Sequence, residues 1–287
     1  MVEECFAGYA DRIACGLVGE GSERFGYDDE LSVDHDYGAG FCLWLTDEDF
    51  ANIGTELQNA YDRLPRDFLG WPAVGISKNG ERRVGAMRTG DFYLKYTGLK
   101  SPPSTAEEWR RIPEAFLATA TNGRVWSDSL REFSRWREIL LGFYPEDVFR
   151  KKLAARAATM AQAGQYNYPR LLQRRDHVGA GLALAEFIKS ACSAAYLING
   201  RYMPFYKWVY RGMRDLPKLG AVYVLIGRAM ETSDAREIIG KICLAFTEAF
   251  HERGLSSSRS DWMLEHAERI ADGISDEGLR SLPIFVE

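Results

Sequence analysis

Two carboxylates, Asp34 and Asp36, stand two residues apart and follow the glycine–serine pair Gly21-Ser22 by about a dozen positions. On an extended chain alternate side chains share a face, so both carboxylates would aim at one point. Such a pair suits Mg2+ (or Mn2+), a hard cation that takes oxygen ligands and keeps contact with substrate phosphates. The Gly-Ser turn complements it, because backbone N–H groups and a hydroxyl can hold phosphate oxygens. Arg24 can pair with Glu20, with Glu23 or with a phosphate. The pattern reads as phosphoryl or nucleotidyl transfer; the plainer alternative is an acidic surface hairpin with a glycine turn. Around it, Asp28, Asp29 and Glu30 read as solvated turn residues and Tyr27 as a packing residue. Ser32 is placed to fix the Asp34 carboxylate, and His35 points to the opposite face.

A second constellation is basic and aromatic. Arg201, Lys207, Arg211, Arg214 and Lys218 alternate with Tyr202, Tyr206, Trp208 and Tyr210. Lys207, Arg211 and Arg214 fall at i, i+4 and i+7, one face of a helix. Lys207 is a compact charge suited to phosphate, and an arginine such as Arg211 grips two oxygens at once. Arg214 and Lys218 read as a solvated face. Gln165, Asn167 and Arg170 form a polar block that would line a cleft. Glu186 and Lys189 are the only charges on the apolar stretch 181–197. Glu186 is either a buried base or the partner of Lys189 or of a neighbouring arginine, since a buried carboxylate needs a partner.

Other chemistries lack their residues. Four histidines and five cysteines show no zinc-ligand spacing. A dinucleotide fingerprint, a phosphate loop with Gly-Lys-Ser/Thr and a Gly-x-Ser-x-Gly elbow are all missing.

The strip from Gly21-Ser22 to Asp34-His35-Asp36 resembles the signature of the polymerase-beta-like nucleotidyltransferase superfamily. Its longer string, Gly19-Glu20-Gly21-Ser22 with Phe25-Gly26-Tyr27-Asp28-Asp29-Glu30-Leu31-Ser32, is similar to a bacterial nucleotidyltransferase-like domain family of unknown function. The blocks Arg88-Thr89-Gly90-Asp91-Phe92-Tyr93, Gly164-Gln165-Tyr166-Asn167-Tyr168 and Asn199-Gly200-Arg201-Tyr202-Met203-Pro204-Phe205-Tyr206-Lys207-Trp208 extend the likeness over most of the chain. The resemblance implies Mg-dependent transfer of a nucleoside monophosphate, AMP, from ATP or another NTP to a hydroxyl or amine of a small acceptor. Gly21, Ser22, Arg24, Lys207 and Arg211 would hold phosphates, and Asp34 and Asp36 the metal. Glu186 would activate the acceptor, because related enzymes carry such an acid on their helical domain. The superfamily's third carboxylate is missing from the stretch 82–87; Asp91 and Asp128 are the nearest substitutes, and Asp91 reads equally as an N-cap for a helix 92–96. That departure keeps alternatives open: a non-catalytic, antitoxin-like module that binds nucleotide or a helical nuclease, or transfer onto RNA or protein.

The elements that must position these residues follow from periodicity. The chain has 287 residues, 46% apolar and 27% charged, enough for one large or two ordinary domains. Its patterning predicts an α+β protein: a small mixed β-sheet nucleotidyltransferase domain over 1–144, then an α-helical bundle over 145–287. The first part should contain a helix over 3–14, strands at 15–18 and 41–45, and a helix capped by Thr46. A hairpin should follow, 72–77 with 82–87 about Asn79-Gly80, then a helix over 105–120 and a short strand after Asn122-Gly123. In the second part, helices should start at Pro145, with Gly164 as a stop, and cover 181–197, 235–253 and 261–274. Net charge is −5, but residues 1–50 carry −11 and residues 150–218 carry +10. The acidic total argues against a general nucleic-acid coat. Scattered cysteines, no leader pattern and no uninterrupted apolar span predict a cytoplasmic protein without a membrane segment.

Overall fold

The computed structural model describes residues 1–32, 38–74 and 82–287. Asp34, His35, Asp36 and the expected Asn79-Gly80 turn lie outside the described residues. The protein is α+β, and its chain divides into two compact units, Met1–Pro103 with Ala115–Gly142, and Ser104–Glu114 with Phe143–Glu287.

The strands described, in chain order, are β1 (Ala14–Leu17), β2 (Cys42–Leu45), β3 (Asp67–Phe68), β4 (Trp71–Pro72), β5 (Gly85–Arg88) and β6 (Arg124–Ser127). Four of them form a mixed sheet in the order β5-β2-β1-β6, while β3 and β4 pair as a small ribbon. β1 is antiparallel to β2 and β6, and β2 is parallel to β5. A parallel pair needs a crossover, supplied here by helix Asp47–Asp62. β2 is apolar without alternation because both its faces are covered. Leu43 and Leu45 pack with Ile13, Ile53 and Leu57. Trp44 turns the other way, stacked 3.8 Å from the Phe133 ring and edge-on to Phe92.

Several expectations hold locally. Thr46 caps its helix, accepting from the Asp49 N–H at 3.0 Å. The helix expected from 105 does start there, with Thr105 and Glu108 forming a reciprocal capping box. Others need correction. The expected helix 3–14 is a short turn, Val2–Cys5, and a 3-10 stretch, Ala7–Arg12, parted at Phe6, whose φ of −132° is not helical. The expected helix 105–120 is two helices, Ala106–Arg111 and Glu114–Thr121. Pro113 divides them, since proline removes an N–H and pushes Ile112 to extended ψ of 122°. Asp91 is not an N-cap: its helix starts earlier, as Thr89–Thr97, with Arg88 at the cap position. β5 starts at Gly85, later than the expected 82.

The second unit is helical. Helix Glu146–Thr159 continues through a π-helical segment, Met160–Asn167, into Tyr168–Gln173. Gly164 therefore does not stop the helix. A Cβ there would lie 2.2 Å from the Phe187 ring, so glycine is what admits the neighbouring helix, His177–Ile198. That helix is exposed over its first turns and buried towards Ile198. By length and composition it could cross a membrane, but 61% of its most apolar window is buried inside the protein, as in the central helix of a bundle. Helices Arg236–Glu252 and Met263–Asp272 complete the core with Ile239, Ile242, Phe246, Phe250 and Ile270.

Candidate phosphate-binding site

β1 delivers the chain into the turn that carries Gly19, Gly21 and Ser22. Gly19 has φ of 117° and Gly21 φ of 135°, conformations open to glycine and strained for other residues. Ser22 begins a single helical turn, Ser22–Phe25, closed by Gly26 in the left-handed region. A second turn clamps the first. Gly19 N–H donates to Asn122 Oδ1 at 2.9 Å, and Asn122 Nδ2 returns a bond to the Gly19 carbonyl at 2.7 Å. Gly123 N–H donates to the Arg24 carbonyl at 2.8 Å. Arg137 donates to the Asn122 and Gly123 carbonyls, holding the clamp from behind. Burial lowers the Arg137 pKa.

Beside the turn lies a cavity of about 190 Å³. Its polar wall is Glu20, Arg24, Arg82, Arg83, Asp91 and Lys95, and Phe92 and Tyr96 also line it. Burial raises the Tyr96 pKa, and the Glu20 charge adds to that, so its hydroxyl is neutral and can donate. Small-molecule pockets run to roughly 300–1,000 Å³. This space fits a phosphate chain better than a whole nucleotide. Gly21 and Ser22 stand beside it and are not part of its lining.

Arg24 is the anchor. Its side chain is 1% exposed, Nη2 donates to the Arg83 carbonyl at 3.0 Å, and Nε is 3.5 Å from Glu23 Oε1 without hydrogen-bond geometry. The Glu23 carboxylate folds back over Gly21, within 2.2 Å of where a Cβ would sit. Glu20 bridges two cations, Lys95 at 2.8 Å and Arg83 at 3.6 Å. Arg82 is held by Asp62 through two hydrogen bonds. The cations at the turn are thus balanced by the protein's own carboxylates.

Sequence reasoning named Gly21, Ser22 and Arg24 here but missed Lys95 and Arg83. Lys95 had a signal, since it follows Asp91 by one helical turn and both reach the same side; Arg83 had none. Of the two substitute acids, Asp91 lines the cavity and lies 3.8 Å from Arg88. Asp128 instead accepts from the Ser134 N–H at 2.7 Å, a structural contact at the start of helix Glu132–Leu141. Ser32 is committed to Asp29 at 3.0 Å, and Tyr27 stacks on Phe25. Asp34 and Asp36 lie outside the described residues. Among the described residues no cluster of three or more His, Cys, Asp or Glu side chains is arranged to hold a metal. The described donors do not fit a divalent cation by themselves, because Glu20 is already tied to two cations.

The remaining candidates belong to the second unit. Glu186 is exposed, not buried, and lies 3.8 Å from Lys189, so the pairing reading describes it and the premise for a buried base fails. Lys207 is exposed, with its ammonium 5.2 Å from the Trp208 ring. It shares helix Tyr206–Gly212 with Arg211, but the helix ends before Arg214. Arg214 sits in a following 3-10 turn and donates to the Tyr223 hydroxyl at 2.7 Å. The expected single face of Lys207, Arg211 and Arg214 is therefore not maintained. Gln165 is structural: it donates to the Asp261 carbonyl and accepts from Met263 N–H, tying down the start of helix Met263–Asp272. Arg170 lies over the Tyr166 ring.

A family profile described as "Domain of unknown function (DUF4037)" matches residues 109–209, about a third of the chain. The match includes Glu186 and Lys207 and excludes the turn at residues 19–24, and it carries no activity. No curated protein matches the chain. No solved structure matches it either.

Proposed function

We propose that the protein is a nucleotidyltransferase that moves a nucleoside monophosphate, AMP, from a triphosphate to a hydroxyl or amine of a small acceptor. One observation carries the reading. Arg24, Arg83 and Lys95 line a single cavity beside a glycine turn, where a phosphate chain would find three cations and the Tyr96 hydroxyl. Positioning and charge neutralisation are most of what phosphoryl and nucleotidyl transfer require. The acceptor oxygen or nitrogen would attack the α-phosphorus, its proton passing to a base, while the bond to pyrophosphate breaks. Lys95 and Arg83 would then neutralise the departing pyrophosphate. A phosphate entering at the turn would displace the Glu23 carboxylate from Gly21 and the Glu20 carboxylate from its two cations. Mg2+ or Mn2+ remains part of the reading through Asp34 and Asp36, and would supply charge neutralisation on the phosphates.

A second reading has its own support. The described part of β5 and its approach, residues 82–88, carry no carboxylate, so the domain would bind a triphosphate and not turn it over. Labelled ATP with Mg2+ and a panel of small alcohols and amines separates the two. Transfer of label, lost in Asp34→Asn/Asp36→Asn while ATP binding survives, is the expected result. Saturable binding without transfer selects the second reading. No ATP binding, or binding unchanged in Lys95→Met, overturns both.

A further inference from the structure

The second unit holds a buried ionic cluster that the proposed transfer does not use. Helix Glu146–Thr159 contributes Lys151, Lys152 and Arg156, the first two buried although charged. Arg156 Nε donates to Ser193 Oγ at 2.8 Å and Nη2 to Glu114 Oε1 at 3.0 Å. Ser193 in turn donates to Glu114 at 2.8 Å, so this half of the cluster is closed on itself. Lys151 is satisfied by the Leu282 and Pro283 carbonyls, both at 2.9 Å.

The other half is filled by Glu287. Its carboxylate contacts Arg156 and lies 3.9 Å from Lys152, and its carbonyl oxygen accepts from Arg110. The fit is incomplete. Glu287 Oε2 is within ion-pair distance of Arg156 but outside hydrogen-bond geometry, and the buried Tyr144 hydroxyl has no hydrogen-bond partner. The Lys152 ammonium lies 5.3 Å from the Tyr144 ring, which places that side chain at the cluster, and burial raises the pKa of its hydroxyl, so it is a neutral donor. A buried hydroxyl without a partner is destabilising, because it has given up water for nothing. An oxyanion that accepted from Tyr144 as well as Arg156 would remove that cost. The cluster also divides by position in the chain. Arg110, Glu114, Tyr144, Lys152, Arg156 and Ser193 all lie within the segment 109–209 that the family profile matches, whereas Glu287 lies outside it.

We propose that Arg110, Tyr144, Lys152 and Arg156 form an oxyanion-binding site in the second unit, filled in this conformation by the Glu287 carboxylate and open to a small carboxylate or phosphate when residues 284–287 lift away, with Leu282 and Pro283 still holding Lys151. Glu287 is then an internal occupant that competes with the ligand. Lys152 donates to the Arg110 carbonyl at 3.2 Å; burial lowers its pKa, and the Glu287 and Glu114 charges offset part of that.

The test is anion rescue in Glu287→Ala, followed by thermal unfolding at constant ionic strength. In chloride the variant melts below the wild type. Propionate, which mimics the missing side chain, or inorganic phosphate restores the midpoint saturably. Half-saturation comes at a concentration about tenfold or more below that in the wild type, where Glu287 competes. Adding Tyr144→Phe weakens the rescue, because it removes only the hydroxyl. The better of propionate and phosphate identifies the ligand class. If Glu287→Ala does not fold in chloride, Glu287→Gln, which keeps the shape and drops the charge, is measured in the same way. Propionate and phosphate acting no better than chloride on the folded variant overturn the proposal.

Discussion

The protein withdraws two arginines from solvent in different ways. Arg24, in the first unit, is sunk beside an open cavity and meets the Glu23 carboxylate, while Glu20 on the cavity wall pairs with Lys95 and Arg83. Arg156, in the second unit, is mostly buried; on one side it is held by Glu114 and Ser193 in a closed network, and on the other it meets Glu287. The carboxylates beside the cavity, Glu20 and Glu23, are about a third exposed, so their ion pairs are screened by solvent and would give way first to a ligand. A charge in a closed network mainly sets stability, since removing one partner strands the other. Where a cation sits matters less for function than whether its counter-ion can leave.

The largest effect should break the closed network. Arg156→Leu leaves Glu114 buried without its cation and should cost about 3–5 kcal/mol in denaturant unfolding. A loss near zero would mean that the two regions do not differ as described. Next comes the clamp on the glycine turn. Gly123 has φ of 62°, and a Cβ there would meet the Leu17 carbonyl at 1.9 Å. Gly123→Ala should cost about 1–3 kcal/mol and also weaken triphosphate binding, because the clamp positions Gly19 and Arg24. If only stability falls, the clamp does not position the site. Lys95→Met sharpens the contrast from the other side. Its pair with Glu20 is partly exposed, 43% and 36%, so stability should change by less than about 1 kcal/mol. Triphosphate affinity should fall by about tenfold to a hundredfold, measured by titration calorimetry. Glu23→Gln should act oppositely and tighten binding, because it removes the carboxylate that lies over Gly21.

The smallest effect concerns pH. His266 is fully buried between Ser256 and Ser260, and burial lowers its pKa below the ordinary 6.5. As pH falls through 6.5 the unfolded chain takes up a proton that the folded one resists. Stability is therefore complete above that value and declines below it. Urea unfolding above and below pH 6.5 should show this slope, and His266→Gln should flatten it.

The sequence determined much of this protein locally. Glycines at 19, 21 and 123, the Thr46 and Thr105 caps, the unbroken apolar run of β2 and the stripe of helix Arg236–Glu252 follow from short-range sterics and periodicity, which act over a few residues. The same reasoning ran a helix through Pro113 and ended one at Gly164, because it could not see that Phe187 packs against that glycine. It gave Glu186 the burial of an apolar helix, when only the neighbouring helices decide which end of His177–Ile198 is covered. Lys95 and Arg83 reach the cavity with Arg24, and Glu287 reaches Arg156, across separations of dozens to more than a hundred residues. Pairings at that range depend on which surfaces the packed core brings together, so tertiary structure alone decided which charges meet an open cavity and which are sealed.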